Sequence, residues 1–560
     1  MFQISYQKLR KIEWNQLKSE DGSKYNPYNI TQVQGYNPIY EKFFTMTETN
    51  YNQICLKTYK EFLDPETLVF NNKKIKGHTH IKFAPLLDPI HYLIGKYDQM
   101  KENLTQLPDL QGNCFSKIAN QNNSSYVDCF FNFICSKMLN FHHFPNAIDF
   151  YGSYLGIQDE FRFDATDDFT YLQESEYFKH KKNMLYRIED ETELDLGKHN
   201  VKNTHGNRPK VLIEDEVDVN IVDECFVEES VEQNETNMEV VFQMKKDSDN
   251  ESDSDDDSSN NSQISVSEDE DDEEDDEEDD EEDDEEDDEE DDNDNVSRSD
   301  SEDSDSDIFI YIRKFPVQMI CMEKCDGTLD QLLETEQVKN DEIESALIQI
   351  IFSLLVYQKC FSFTHNDLHT NNITYVQTNM KYIVYTYENQ KYYVPTHGRI
   401  FKMIDFGRAI YKFQDKLFCS DSFAPGGDAH TQYNFPPYVN EKKEIIMPNN
   451  SFDLCRLGCS MFDFVFDEDD DTTDTKHMNR LQKTILRWCT EDSGKNILYK
   501  KNGDERYPNF KLYKMISRLV HNVTPQNELQ QPMIQNCKKT PKGKPKHYEF
   551  NIDSLPVYYT

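Results

Sequence analysis

A run of acidic residues divides this chain and limits what can fold. Every residue from Glu268 to Asp292 is Asp or Glu, and the wider segment 247–307 holds 38 acidic residues and one arginine, a net charge of −37. Like charges repel one another, and the segment has almost no apolar side chains to bury. We therefore expect 247–307 to be a disordered, extended insert, and the folded protein to be built from the residues on either side.

The remaining chain has the composition of an ordinary folded protein. It carries −10 of the total charge of −47, and 36% of the 560 residues are hydrophobic. No apolar leader follows Met1, and no run approaches the roughly 18 apolar residues of a membrane span. The 13 cysteines include no C-x₂-C pair, and the apolar surroundings of Cys321/Cys325 and Cys455/Cys459 predict free thiols and not zinc ligands. These features favour an intracellular protein without a membrane segment.

Hydrophobic periodicity predicts an α+β fold. Short apolar runs bounded by turn residues predict strands at 80–84, 147–152, 317–322, 381–387 and 390–394, the last two forming a β-hairpin around Glu388-Asn389. Helical patterns occur at 126–139, at 329–333 after a cap from Asp326 or Thr328, at 342–359, and from Asp453 onward. The pattern at 342–359 is apolar on almost every face, so we expect a central, buried helix there.

Two short motifs predict the chemistry. The motif HNDLHTNN at 365–372 places Asn372 five residues after Asp367, and the Asp405-Phe406-Gly407 motif begins 38 positions after that Asp. Asp367 can orient and deprotonate an attacking hydroxyl. Asn372 and Asp405 can hold Mg²⁺ against nucleotide phosphates, because Mg²⁺ prefers a few hard oxygen ligands. Together these residues favour phosphoryl transfer from Mg-ATP.

The lysine that would contact the phosphates has two candidates. Lys82 lies in the strand pattern Ile81-Lys82-Phe83 and Lys117 in FSKI at 115–118, and the better strand favours Lys82. Asp128 is the only acid in the next predicted helix, where it can pair with the lysine or cap the helix. No G-x-G-x-x-G occurs in the chain, which implies weaker or differently made contacts to the phosphates.

Several longer segments resemble the serine/threonine protein kinases of giant DNA viruses of the mimivirus type. The segments are KFAPLLDPIHYLIGKYD (82–98), SSYVDCFF (124–131), MEKCDGTLDQLL (322–333), HNDLHTNNI (365–373), VPTHGRIFKMIDFGRAIYKF (394–413) and SFDLCRLGCS (451–460). The resemblance implies a bilobal protein kinase-like fold, with a small β-rich N-lobe and a mainly α-helical C-lobe. It also implies a location in the host cytoplasm or the virion.

The same resemblance implies roles for further residues. His369 stands where protein kinases usually carry a lysine that steadies the γ-phosphate, and kinases of the haspin type also have histidine there. Asp453 is similar to the buried Asp that binds the catalytic-loop backbone, and His365 would support the same loop. Glu323 and Cys325 fall in the hinge, where such kinases contact the nucleotide.

The chain also departs from the kinase pattern. Asn366 replaces the usual arginine, so activity should not depend on a phosphorylated activation loop. The Ala-Pro-Glu that ends most activation segments is not evident, because Ala424-Pro425 is followed by Gly426. On the kinase pattern the chain divides into an N-terminal extension (1–65), the first part of the N-lobe (66–155), an N-lobe insertion (156–246), the acidic insert (247–307), the last N-lobe strand and hinge (308–325), the C-lobe (326–535) and a C-terminal tail (536–560).

The sequence favours a Mg-ATP-dependent protein kinase that acts on Ser or Thr hydroxyls, with two alternatives left open. A pseudokinase or scaffold would explain the missing glycine-rich loop and the missing Glu partner of the lysine. The second alternative is a small-molecule kinase, because His-Asn-Asp-Leu followed by Asn also resembles the loop of choline- and aminoglycoside-type kinases. We expect a protein substrate, with the acidic insert attracting basic proteins and repelling nucleic acid.

Overall fold

The computed structural model describes residues 1–18, 25–98, 103–189, 308–335, 338–466, 472, 475–500, 503–543 and 545–559. These residues belong to one compact unit, and the residues of the second unit, Asp218–Asp305, are not among those described. The predicted disorder of 247–307 and the part of the predicted N-lobe insertion from 190 to 246 also lie outside the described residues.

Strands and helices are both present and fall largely into separate runs along the chain, which confirms the predicted α+β class. The strands are β1 (Tyr6–Lys8), β2 (Ile30–Gln34), β3 (Ile54–Leu56), β4 (Glu61–Asp64), β5 (Thr67–Phe70), β6 (Lys73–Lys76), β7 (Thr79–Pro85), β8 (Phe150–Asp164), β9 (Tyr186–Ile188), β10 (Phe309–Glu323), β11 (Gly327–Thr328), β12 (Ile373–Gln377), β13 (Tyr382–Tyr387), β14 (Gln390–Pro395), β15 (Arg399–Met403), β16 (Ile410–Phe413), β17 (Lys416–Cys419) and β18 (His547–Asn551). The helices are α1 (Pro89–Leu93), α2 (Ser116–Ala119), α3 (Ser124–His142), α4 (Phe169–Glu174), α5 (Glu176–Lys181), α6 (Leu329–Glu334), α7 (Asn340–Phe361), α8 (Phe452–Val465), α9 (Arg480–Trp488), α10 (Lys511–Leu519), α11 (Pro525–Glu528) and α12 (Pro532–Gln535).

An antiparallel sheet in the order β2-β8-β10-β7 forms the framework of the first part of the chain. Strands β8 and β10 pair along almost their whole length, and α3 packs against both. On β7, Lys82 lies opposite Ile320 of β10. Strand β9 also pairs with β10, so the undescribed residues 190–307 begin and end beside neighbouring strands. The entropic cost of closing a loop grows only with the logarithm of its length, so a long insertion between β9 and β10 costs far less than in proportion to its length.

Helix α7 is the buried central helix that the sequence predicts. Its side chains are buried on nearly every face, and it ends at Ser362, whose left-handed backbone (φ 50°) turns the chain into the 365–372 loop. Within the described residues α7 is also the helix that is long and apolar enough to cross a membrane, which corrects the expectation that no segment would reach that length. Because 89% of its most apolar window is buried inside the protein, it has the environment of a core helix.

The predicted hairpin is confirmed and accounts for the long spacing between the two motifs. Strands β13 and β14 pair from Tyr382–Pro395 to Tyr387–Gln390. They lie between β12 and β15 in the chain, and these two strands pair directly with each other. At the end of that pair the Ile404 N–H donates to the Asn372 carbonyl over 3.0 Å. The hairpin therefore extends outward without separating the two motifs.

The C-terminal residues form part of the fold and not the predicted tail. Strand β18 pairs in parallel with β13, so that Phe550 lies opposite Tyr385. Tyr558 is buried, and its hydroxyl accepts a hydrogen bond of 3.1 Å from the backbone N–H of Phe2. The predicted N-terminal extension is likewise integrated, since β2 pairs with β8. The lysine- and proline-rich composition after residue 535 conceals these spaced apolar side chains.

The described cysteines are free, as predicted. Cys321, Cys455 and Cys459 are buried and Cys325 is half-buried. Burial raises the pKa of Cys325 to about 11, so its thiol is a weak nucleophile at neutral pH.

Candidate active site

The 365–372 loop is fixed by a buried carboxylate. Asp453, in the first turn of α8, is 1% exposed and accepts the backbone N–H groups of His365 and Asn366, each over 2.9 Å. The His365 ring nitrogen Nε2 also contacts the Ile404 carbonyl over 3.0 Å. Because the Asp453 carboxylate holds the loop backbone and the Ile404 carbonyl holds the His365 ring, the geometry of the loop is set before any ligand binds. The structure thus places Asp453 and His365 where the sequence expected support for the loop.

Asp367 is held at one carboxylate oxygen. The Tyr513 hydroxyl donates to Asp367 Oδ1 over 2.8 Å, and Arg408 Nη1 lies 3.9 Å from the same oxygen. Burial raises the pKa of Asp367, but nearby positive charge, chiefly that of Arg408, outweighs burial and holds the pKa below its ordinary value. The side chain is 21% exposed, so an ionised carboxylate is accessible at the surface of the site.

His369 is neutral and orients Asn372. Asn372 Nδ2 donates to the Asp367 carbonyl over 2.9 Å and contacts His369 Nε2 over 3.0 Å. An amide nitrogen can only donate, so Nε2 is the acceptor and the ring is uncharged. Burial lowers the pKa of His369 to about 4, which agrees with a neutral ring. A neutral His369 lacks the charge of the lysine it replaces, and its observed contact is with Asn372.

Lys82, Asp128 and Asp405 come together on the other side of the site. Lys82 Nζ lies 2.7 Å from Asp128 Oδ2 and 2.8 Å from Asp405 Oδ1. Asp128 is 1% exposed, and its Oδ1 accepts the Phe406 N–H over 2.9 Å. Burial opposes the charged form of Lys82, but the two carboxylates outweigh burial and raise its pKa above the ordinary value. One lysine therefore connects strand β7, helix α3 and the Asp-Phe-Gly motif.

The structure distinguishes Lys82 from Lys117, and it distinguishes the pairing role of Asp128 from the capping role. Lys117 pairs with Asp421 over 2.7 Å and not with Asp405. Asn123 caps α3 by accepting the Ser125 N–H over 3.0 Å, so Asp128 is not the cap. Of the two candidate lysines, only Lys82 is joined to Asp405 by a described contact.

The two predicted hinge residues have their side chains engaged by neighbouring strands. Glu323 forms an ion pair with Lys402, which is only 3% exposed. The Thr374 hydroxyl donates to Cys325 Sγ over 3.3 Å. Both contacts fix the end of β10 to β12 and β15, so any nucleotide contact from this segment would come mainly from its backbone. Lys402 was not singled out from the sequence, because a lysine in a strand usually indicates a solvent-facing position.

No glycine-rich turn precedes β7 in the described residues. Instead, β4, β5 and β6 form an antiparallel meander. Asn71 and Asn72, between β5 and β6, both have left-handed backbone conformations, at φ 49° and 60°. Asparagine tolerates this conformation better than most residues, so it makes the tight turn without glycine.

The segment that follows Asp405 is tied to the protein by its own side chains. Arg408 pairs with Asp428 over 2.5 Å. Asn366 donates to the Arg408 carbonyl over 2.9 Å and accepts the Tyr433 hydroxyl over 2.7 Å. Neutral hydrogen bonds therefore surround Asn366, where the usual kinase arginine would face a phosphate. Tyr433 and Asp428 belong to no sequence motif, so sequence reasoning did not find them.

Two residues of the site have an unusual backbone conformation. Asn366 (φ 63°) and Asp405 (φ 62°) both lie in the left-handed region, which residues other than glycine rarely adopt. Asn and Asp adopt this conformation more readily than most residues, and it recurs elsewhere in the described residues, for example at Asn71 and Asn72. In the site it occurs once in each motif.

The residues present fit a Mg²⁺ ion that is shared with phosphates. Among the described residues, no group of three or more His, Cys, Asp or Glu side chains is arranged to hold a metal by itself. Asn372 uses its amide nitrogen in both of its described contacts, so its amide oxygen is the atom available as a ligand. That oxygen and the Asp405 carboxylate, which is 44% exposed, are two hard ligands of the kind that Mg²⁺ accepts beside phosphate and water.

Comparison with known proteins supports a protein kinase-like relationship over part of the chain. No protein-family model matches the sequence. The chain is 34% identical over 107 residues to the serine/threonine-protein kinase haspin of Mus musculus. The matched stretch is 18% of this chain and covers 14% of the haspin sequence.

Proposed function

We propose that this chain is a Mg-ATP-dependent protein kinase that transfers the γ-phosphate to Ser or Thr hydroxyls. The observation that carries the proposal is the double ion pair of Lys82 with Asp128 and Asp405. This double ion pair joins three residues that are far apart in the sequence, and it lies beside the loop that presents Asp367. The similarity to a serine/threonine-protein kinase supports the choice of acceptor.

In the proposed reaction, the acceptor oxygen bonds to the γ-phosphorus while the bond from that phosphorus to the β–γ bridging oxygen breaks, and ADP leaves. Asp367, which is held ionised, takes the proton of the hydroxyl. Lys82 would present its charge to the α- and β-phosphates. Asn372 and Asp405 would hold Mg²⁺, which when bound offsets the negative charge of the phosphates.

The test combines a thermal shift with ³²P transfer, on the wild type and on Asp367→Asn. Mg-ATP at about 100 times its Kd should stabilise both proteins by about 2.7 kcal/mol, and omission of Mg²⁺ should reduce the shift. Transfer from [γ-³²P]ATP to a protein panel should fall by roughly a hundredfold to ten-thousandfold in the variant, the usual contribution of a general base.

Each alternative function predicts a different result. A pseudokinase would transfer no phosphate to the chain itself or to any protein of the panel. A scaffold without a nucleotide site would also show no shift with Mg-ATP. A small-molecule kinase would phosphorylate hydroxylated small molecules, and not proteins, in an Asp367-dependent manner.

A further inference from the structure

A buried tyrosine from outside both motifs contacts the proposed base. Tyr513 lies on α10 and is 2% exposed. Two guanidinium groups lie over its ring, Arg408 at 5.5 Å and Arg456 at 5.1 Å from the ring centroid. The aromatic rings of Phe452 and Phe510 are also close, at 6.1 and 5.6 Å. The ring is therefore held from several directions, and so is the position of its hydroxyl.

The direction of the hydrogen bonds through this hydroxyl follows from the groups involved. Arg456 Nε lies 2.8 Å from the Tyr513 oxygen and can only donate. The single tyrosine proton must then point to Asp367 Oδ1, also at 2.8 Å. Burial raises the pKa of Tyr513 above its ordinary value, so the hydroxyl keeps the proton that it donates. A buried positive charge is thus connected to the proposed base through one neutral hydroxyl.

We propose that Tyr513 is a positioning residue for phosphoryl transfer, which fixes Oδ1 of Asp367 so that Oδ2 faces the acceptor hydroxyl. This inference rests on the proposed function. The backbone around Asp367 is already fixed by Asp453 and Asn372, which leaves rotation of the carboxylate as the remaining freedom. Tyr513 removes that freedom. A misdirected carboxylate would slow proton transfer without changing how ATP is held.

The experiment compares Tyr513→Phe with Tyr385→Phe. The first change deletes the hydroxyl and keeps the ring between the guanidinium groups. Tyr385 is a matched control, because it is buried and its hydroxyl donates over 2.6 Å to Asn146, outside the site. We expect Tyr513→Phe to lower kcat by roughly tenfold to a hundredfold, the effect of losing a hydrogen bond to a charged group, with KM for ATP and the Mg-ATP thermal shift unchanged. Tyr385→Phe should change thermal stability alone.

A double-mutant cycle separates positioning from a general loss of structure. In an Asp367→Asn background, Tyr513→Phe should have almost no further effect on the residual rate, because the carboxylate that it positions is gone. An undiminished effect there would overturn the inference, as would a kcat of Tyr513→Phe equal to that of Tyr385→Phe. Should Tyr513→Phe fail to fold, Arg456→Lys provides the test. It retains the positive charge but loses the Nε donor, and a kcat equal to that of the wild type would count against the inference.

The same assays distinguish the failure of this inference from the failure of the proposed function. Absence of transfer by the wild-type chain overturns both. Normal transfer by the wild type and by Tyr513→Phe overturns the positioning role alone.

Discussion

The two sides of the candidate site are held together by different forces. On one side, the 365–372 loop is fixed mainly by hydrogen bonds from its backbone to Asp453, which is only 1% exposed. On the other side, Lys82, Asp128 and Asp405 are joined by ion pairs between a strand, a helix and a loop, and Asp405 is 44% exposed. The first side is held by hydrogen bonds to a buried acid, whereas the second is held by ion pairs and includes the more exposed carboxylate.

This difference matches the chemical role that we propose for each side of the site. A general base must be placed accurately, and backbone hydrogen bonds to a buried acid give that accuracy. A phosphate-binding group must present charge to a ligand that enters and leaves, and an ion pair can share its charge with the ligand. Mutations on the first side should therefore act through geometry, and those on the second through nucleotide binding.

After Asp367→Asn, the largest expected effect is that of Lys82→Met. Without the lysine, the charge that faces the phosphates is lost and Asp128 remains buried beside Asp405. We expect ³²P transfer to fall by roughly a hundredfold to a thousandfold, the usual effect of removing one electrostatic contact to the transferred group, and the Mg-ATP thermal shift to disappear. Lys117→Met is the matched control, since it also removes a half-buried lysine from an ion pair, and it should keep the shift. A normal shift in Lys82→Met would show that the second side is not where nucleotide binds.

The comparison also explains what the sequence could predict. Asp367 and Asn372 lie within six residues of one loop, so their spacing alone indicates their shared role. Asp453 was found because the resemblance carried it. Lys82 and Asp128 belong to separate elements, and periodicity reveals which residues form a strand but not which lysine faces which acid. The sequence therefore narrowed this side to two lysines and favoured Lys82 on its strand pattern, and the structure shows that Lys82 contacts Asp405.

Other residues were beyond sequence reasoning for the same physical reason. Tyr513 is 146 positions from Asp367 and lies on an ordinary amphipathic helix, so no local pattern marks it. Lys402 is buried and pairs with Glu323 at the end of β10, a contact between two elements that no local pattern shows. Both residues make contacts between elements that are distant in the sequence, and only the packing of those elements brings the partners together.

Asp453→Asn tests the geometric side and should have an intermediate effect. Asparagine offers one acceptor oxygen and turns an N–H₂ group toward donors, so two charge-assisted hydrogen bonds are weakened. The free energy of unfolding should fall by about 2–4 kcal/mol, and kcat roughly tenfold. The Mg-ATP thermal shift should remain, because Lys82 and Asp405 are untouched. Chemical denaturation and steady-state kinetics measure the two effects.

A control on the same helix makes this prediction sharper. Asp463 is an exposed acid of α8 whose Oδ1 accepts the Tyr499 hydroxyl over 2.9 Å, and because asparagine keeps an acceptor oxygen there, Asp463→Asn should change stability by about 1 kcal/mol or less and leave kcat unchanged. If Asp453→Asn abolished the Mg-ATP shift as well, the two sides of the site would not be separable in the way that their contacts indicate.

The smallest expected effect concerns the ion pair between Lys117 and Asp421, which lies next to the charged side without belonging to it. Asp421 also accepts the N–H of Ser124 at the start of α3 over 2.9 Å, so it ties the segment after Asp405 to the helix that carries Asp128. Asp421→Asn should therefore lower the free energy of unfolding more than Lys117→Met does. For this partly exposed pair we expect losses of about 2 and about 1 kcal/mol, respectively. Both variants should lower ³²P transfer only a fewfold. A double-mutant cycle by thermal denaturation should give a coupling of about 1 kcal/mol. A loss of transfer as large as that of Lys82→Met would mean that this tie, and not the Lys82 ion pairs alone, keeps Asp128 and Asp405 in place.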